Sequence, residues 1–142
     1  MSVEQYQKSV NGLDKEIADL EKKKAAKDSE VATLKGKINS AQKSITKNTS
    51  QTILNSKMRQ ISGYESDIVR KSKESAEFGK KIANKRKKRS EAYLKLQREE
   101  QNQQKKEVQA AKKLQASYEA RIDELQQQLA KTIPPVSKPR HE

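Results

Sequence analysis

Cysteine and tryptophan are absent from this 142-residue chain, and phenylalanine occurs once. Without cysteine, disulfides and thiolate-held metals are excluded, and a reducing compartment is compatible with the composition. Glycine (four residues) and proline (three) are scarce, so the punctuation of a loop-rich or many-stranded domain is lacking. Hydrophobic residues make up only 31%, where an ordinary globular domain holds about 45–50%. That is too little for a wide core, and hence for a deep desolvated cleft. No stretch approaches the roughly 18 consecutive apolar residues of a membrane span, and the opening MSVEQYQKSV lacks the apolar run of a signal peptide. A cytoplasmic protein without a membrane partner is the expectation.

The apolar material that is present falls in rows. Alternating steps of three and four give Val3, Tyr6, Val10, Leu13, Ile17, Leu20, Lys24, Lys27, Val31, Leu34, Ile38, Ala41 and Ile45. All but Lys24 and Lys27 are apolar, where chance at this composition gives roughly four. A 3.5-residue repeat held this long predicts a helix over about 3–45 that needs another helix to cover its stripe. The β-branched residues Val3, Val10, Ile17, Val31, Ile38 and Ile45 alternate with Leu13, Leu20 and Leu34, a pattern favouring two strands when the helices run parallel. The flanking charges leave orientation open. In a parallel homodimer Lys23 meets Asp28 and Glu30 meets Lys35, but Glu16 meets Glu21.

The run SITKNTSQT (44–52) then favours a turn, with Thr49 or Ser50 as N-cap of a second helix. That helix is predicted over about 51–131, roughly 120 Å if unbroken at 1.5 Å per residue. Its packing row reads Leu54, Ile61, Tyr64, Ile68, Phe78, Ile82, Ala92 and Leu96, with Lys71, Ser75, Lys85 and Arg89 as polar intrusions. Gly63 and Gly79 weaken it locally. The short turn suits an antiparallel hairpin with the first helix. Between 97 and 107, QREEQNQQKKE contains no apolar residue, and a second row opens in another register: Val108, Ala111, Tyr118, Ile122, Leu125 and Leu129. One straight coiled coil cannot serve both rows, so a kink, a change of partner or an exposed single helix is expected there. The chain thus divides into a first coiled-coil helix (1–46), a turn (47–51), a long second helix (52–131) and a proline-containing segment (132–142). Pro134, Pro135 and Pro139 make that last segment read as a spacer to a further C-terminal domain, with a frayed tail as the alternative.

Recognisable catalytic constellations are not found. His141 is the only histidine, so zinc and Cys-His chemistry lack their ligands. Neither GxGxxG nor GxxxxGK[ST] occurs, so no phosphate-cradling loop is indicated. Glu99–Glu100 and Asp123–Glu124 are adjacent on a helix and diverge, as solvating carboxylates do. No metal, no cofactor and no catalytic residue is expected in these residues. Charge is uneven: 1–46 hold nine basic and seven acidic residues, 47–107 seventeen and eight, and 108–142 six and four. The densest basic run is KKIANKRKKR, with Lys80, Lys81, Lys85, Arg86, Lys87, Lys88 and Arg89. It reads either as a grip on nucleic acid or as a face answering an acidic sister helix. Aromatics interleaved for base stacking are missing, since Phe78 and Tyr93 only flank it. Tyr6, Tyr64, Tyr93 and Tyr118 read as seam or rim residues.

Three segments taken together carry a resemblance: SITKNTSQTILNSKMRQIS (44–62), KKIANKRKKRSEAYLKLQREEQ (80–101) and QLAKTIPP (128–135). They resemble the N-terminal coiled-coil region of bacterial TIR-domain proteins, whose C-terminal TIR domain cleaves NAD. The resemblance implies that the helices oligomerise and cluster such domains for NAD hydrolysis or cyclisation in defence signalling or virulence. It also implies that the catalytic glutamate and the nucleotide contacts lie outside these residues, so NAD is implied only through that further domain. The expectation is therefore an all-α, elongated coiled coil or antiparallel helical hairpin that homo-oligomerises, as a dimer, in the cytoplasm. Its interface is expected along Val3, Tyr6, Val10, Leu13, Ile17, Leu20, Val31, Leu34, Ile38 and Ile45. Leu54, Ile61, Tyr64, Ile68, Phe78, Ile82, Leu96, Tyr118, Ile122, Leu125 and Leu129 are expected to pack the second helix. The alternatives are a basic nucleic-acid binder and a monomeric structural spacer.

Overall fold

A computed structural model of the chain describes residues 2–132, and these form two helices, α1 (Val3–Lys43) and α2 (Gln51–Thr132), with no strand among them. The proline-containing segment, with His141, lies outside the described residues apart from Thr132.

Local chemistry sets each helix end. Ser2 is extended and caps α1: its hydroxyl accepts from the Gln5 amide at 3.2 Å, while the Gln5 side-chain oxygen accepts from the Ser2 amide at 3.0 Å. Two of the otherwise orphaned amides are thus satisfied reciprocally. At the far end Ser44 takes over. Its amide donates to the Ser40 carbonyl and its hydroxyl to the Ala41 carbonyl at 2.7 Å. The connecting residues fold tightly, with the Thr46 amide donating to the Thr49 hydroxyl at 2.8 Å. Ser50 then caps α2 by accepting from the Ile53 amide at 3.3 Å. Of the two residues expected as the cap, Thr49 closes the turn and Ser50 starts the helix.

The chain divides into two compact units, Met1–Leu96 and Gln97–Glu142. The first is an antiparallel hairpin of α1 against the early part of α2. Partners across it run in opposite directions: Asp14 with Arg89, Glu16 with Lys85, Glu21 with Arg86, and Glu30 with Lys71. The core is one residue wide. Val10, Ile17, Leu34 and Ala41 of α1 and Ile61, Ile82 and Leu96 of α2 are its buried apolar side chains. Every member of the thirteen-residue row from Val3 to Ile45 is at least half-buried, and the rest of α1 is exposed apart from Ser9. The row and the covered face coincide because two helices meeting at steps of three and four share only that stripe.

α2 runs unbroken through 97–107, and Gly63 and Gly79 lie inside it without a positive φ. Val10 and Leu96 are each only 3% exposed, but α1 begins at Val3, and with it the cover ends. From Glu100 to Thr132 every residue of α2 is exposed.

Candidate interaction surfaces

Two surfaces stand out: a polar layer inside the hairpin seam, and the uncovered row on the distal part of α2.

The seam is interrupted midway. Lys24 and Lys27 occupy row positions on α1, and Lys71 and Ser75 do so on α2. Lysine stems can lie along an apolar seam while their ammonium groups reach the rim. The Lys24 stem does so where Gly79 leaves room; a Cβ on that glycine would sit 3.5 Å from Lys24 Cε. Each ammonium finds a carboxylate. Lys24 Nζ donates to Asp28 at 2.9 Å, Lys27 Nζ lies 2.8 Å from Glu74, and Lys71 Nζ donates to Glu30 at 2.7 Å. Ser75, the one buried polar residue among those described, donates its hydroxyl to Asp28 across the hairpin. No buried side-chain nitrogen or oxygen among the described residues lacks a partner. The layer is a closed set of three cations and three anions.

These contacts move the proton affinities of the groups involved. The Ser75 hydroxyl and then Lys24 hold the Asp28 carboxyl below its ordinary range. The Lys71 ammonium does the same to Glu30, and Lys27 to Glu74. Glu74, through its hydrogen bond, pushes the Lys27 ammonium up. Each of the four shifts favours the charged form.

The basic run Lys80 to Arg89 is partly answered within the chain. Lys85, Arg86 and Arg89 reach Glu16, Glu21 and Asp14 of α1. Arg89 also lies 5.6 Å from the Tyr93 ring, and Lys81 lies 5.8 Å from that of Phe78. The acidic sister helix that the run was expected to answer is thus α1. Lys80, Lys81, Lys87 and Lys88 remain exposed. Tyr64 sits at the rim beneath Lys37 of α1, 5.8 Å from nitrogen to ring centre.

The residues expected at the oligomer interface, Val3 through Ile45, face α2 of the same chain. Of those expected to pack the second helix, Leu54, Ile61, Tyr64, Ile68, Phe78, Ile82 and Leu96 lie in the hairpin seam. Tyr118, Ile122, Leu125 and Leu129 do not: they are 47–62% exposed, as are Val108 and Leu114. Leu114 was missed by the sequence reading because it sits one position to the side of the repeat. Among the described residues no group of three or more His, Cys, Asp or Glu is placed to hold a metal, and no helix is long and apolar enough to cross a membrane.

The chain matches no family model, no curated protein and no solved structure. The resemblance to bacterial TIR proteins therefore rests on the three quoted segments.

Proposed function

We propose that the chain is a coiled-coil oligomerisation module in which the hairpin is self-contained and the distal part of α2 joins copies. The observation that carries this reading is the row Val108, Ala111, Tyr118, Ile122, Leu125 and Leu129: it has coiled-coil spacing but no cover. Monomeric proteins seldom leave a contiguous apolar strip this long in water. The residues first expected to join copies already have a partner in α2, so the adhesive role passes to the row that has none.

The mechanism is effective concentration. Groups tethered to paired helices meet at about millimolar levels, so a contact too weak to form in dilute solution becomes populated. On the resemblance to bacterial TIR proteins, the tethered groups are TIR domains and the populated contact is one that permits NAD cleavage or cyclisation. That step belongs to the further domain and involves no residue of these helices.

Sedimentation equilibrium over a concentration series tests the module. The wild-type mass should rise with concentration, and Ile122→Asp, which sets a charge in the row, should hold the monomer mass throughout. The covered α1 row favours a second reading, the monomeric spacer; a wild-type chain that stays monomeric at every concentration selects it. Nucleic-acid binding through Lys80 to Arg89 predicts instead an affinity that falls steeply with salt.

A further inference from the structure

Resting on that reading, we infer that the joined copies are two, lying parallel and in register from Gln104 to Thr132, with Gln115 and two flanking charge pairs setting the orientation. Gln104 to Thr132 spans four heptads. One set of seam positions holds Val108, Gln115, Ile122 and Leu129; the other holds Ala111, Tyr118 and Leu125 between the ends. The β-branched Val108 and Ile122 in the first set, with Leu125 in the second, favour two strands.

Gln115 separates the orientations. In a parallel, in-register pair it faces Gln115 of the second copy, and each carboxamide can both donate and accept. In the antiparallel pairing that overlaps the whole row, Gln115 faces Leu125 and Tyr118 faces Ile122. Each copy then presses an amide against an apolar side chain, where it finds no partner across the seam. In the single chain Gln115 donates to Glu119 of its own helix at 3.3 Å, a bond that a Gln115 pair across the seam would have to replace or share.

The rim charges agree. In a parallel pair a residue just before one seam position meets the residue five further along the other copy. Glu100 then meets Lys105 and Glu107 meets Lys112, each twice by symmetry, while Leu114 meets Glu119 and Arg121 meets Gln126. No like charges are opposed. The antiparallel overlap instead sets Glu119 against Glu119 and Arg121 against Arg121. Rim pairs contribute little affinity, but opposed like charges exclude a geometry.

Net charge selects the occupant. Residues 1–96 carry twenty-three basic and twelve acidic side chains, so hairpins repel one another and do not themselves join copies; in a parallel pair that repulsion is a cost the distal seam must offset. Residues 100–132 carry six basic and five acidic. A near-neutral strip gives a strongly acidic partner nothing to answer, but it suits a copy of itself. The parallel arrangement has a consequence: it brings the C-terminal ends of the two α2 helices side by side.

Cysteine trapping tests the orientation cleanly, because the natural chain has no cysteine. Under a glutathione redox buffer, Leu125→Cys should form a disulfide-linked homodimer. A mixture of Ala111→Cys and Leu129→Cys should give no 111–129 heterodimer above background. A dominant 111–129 heterodimer overturns the parallel geometry while leaving self-association intact. A wild-type mass that stays monomeric overturns the oligomer reading itself, and a trimer mass overturns the pair. Reversing Glu100→Lys with Glu107→Lys should raise the dimer dissociation constant about tenfold, and adding Lys105→Glu with Lys112→Glu should restore it. An unchanged constant in the first variant overturns the charge assignment.

Discussion

Leu96→Ala should destabilise the hairpin, whereas Leu125→Ala should leave it untouched, although both remove the same three carbons from the same helix. Leu96 is 3% exposed and closes the open end of the seam; Leu125 is 47% exposed. At about 0.8 kcal/mol per buried methylene-sized group, Leu96→Ala forfeits roughly 2.4 kcal/mol. The cavity left behind adds little, because a seam one residue wide borders solvent and collapses readily. An expected loss of about 2–3 kcal/mol corresponds to a urea midpoint lower by roughly 1–2 M for a unit of this size. Leu125→Ala should shift the same transition by less than about 0.5 kcal/mol, the ordinary scatter of surface changes. The assay is urea unfolding followed by helical circular dichroism, at concentrations where the wild-type chain sediments as a monomer. If the two variants unfold alike, the burial assigned to the seam is wrong and the hairpin with it.

Gly63→Ala should raise stability by about 0.5–1 kcal/mol in the same assay, since a Cβ there meets nothing within 4 Å and alanine is the better helix former. The pH profile of the melting temperature should be a plateau with two falling limbs. Asp28, Glu30 and Glu74 have depressed folded values, so their contribution is full above the ordinary carboxylate range and is lost as pH falls through the folded values, below about pH 4. Lys27 has a raised folded value, so its contribution is full below the ordinary lysine range and is lost as pH climbs above it. Glu74→Gln should make both limbs shallower, and a profile superimposable on wild type would show that the Lys27–Glu74 contact is not formed. Replacing Lys27 and Ser75 together by leucine should raise the melting temperature yet broaden the amide resonances of 60–90, as the hairpin samples more than one register. Sharp single resonances in that variant would remove the layer's claim to specify register.

Most of the hairpin was legible because helix pairing leaves a periodic trace. Val3 to Ile45 and Leu54 to Leu96 keep the same steps of three and four, and the Ser44–Ser50 turn is too short for anything but a return along the first helix. What was hidden was that the α1 row is used up by this hairpin, since the same row was also expected to join copies. Glu16 and Glu21 read as a clash between copies in a parallel homodimer, yet across the hairpin they meet Lys85 and Arg86. Periodicity reports that a face is covered, and not by whom; only long-range register tells, and register is carried by scattered single charges. Lys24 and Lys27 read as interruptions for the same reason, because Asp28 lies beside them in sequence but Glu74 does not. The end of the covered seam near 97 was visible as a polar gap. Its cause, the start of α1 at Val3, emerges only when the two strands of the hairpin are laid level.

A two-helix seam with a strict heptad has an inherent ambiguity: sliding one helix by seven residues restores the apolar row. The polar pairs weigh against such a slip. A slip of one heptad moves Asp14 from Arg89 to the level of Leu96 or Ile82, and Glu30 from Lys71 to that of Phe78 or Tyr64. Asp28 leaves Ser75 for Ile82 or Ile68, and Glu16 leaves Lys85 for Ala92 or Phe78. Each of these displaced carboxylates then faces an apolar or aromatic side chain, although Arg89 comes level with Glu21 in one direction and Arg86 with Asp28 or Asp14 in either. None of these exposed pairs contributes much by itself, but their simultaneous loss opposes a change that the apolar row alone would tolerate. The distal row has a single polar seam position between its ends, Gln115, and in the proposed pairing its neighbouring charges are answered by a second copy. On that proposal the two rows have separate tasks: the seam of the hairpin is satisfied by its own α1, and the exposed distal row is left for a second copy.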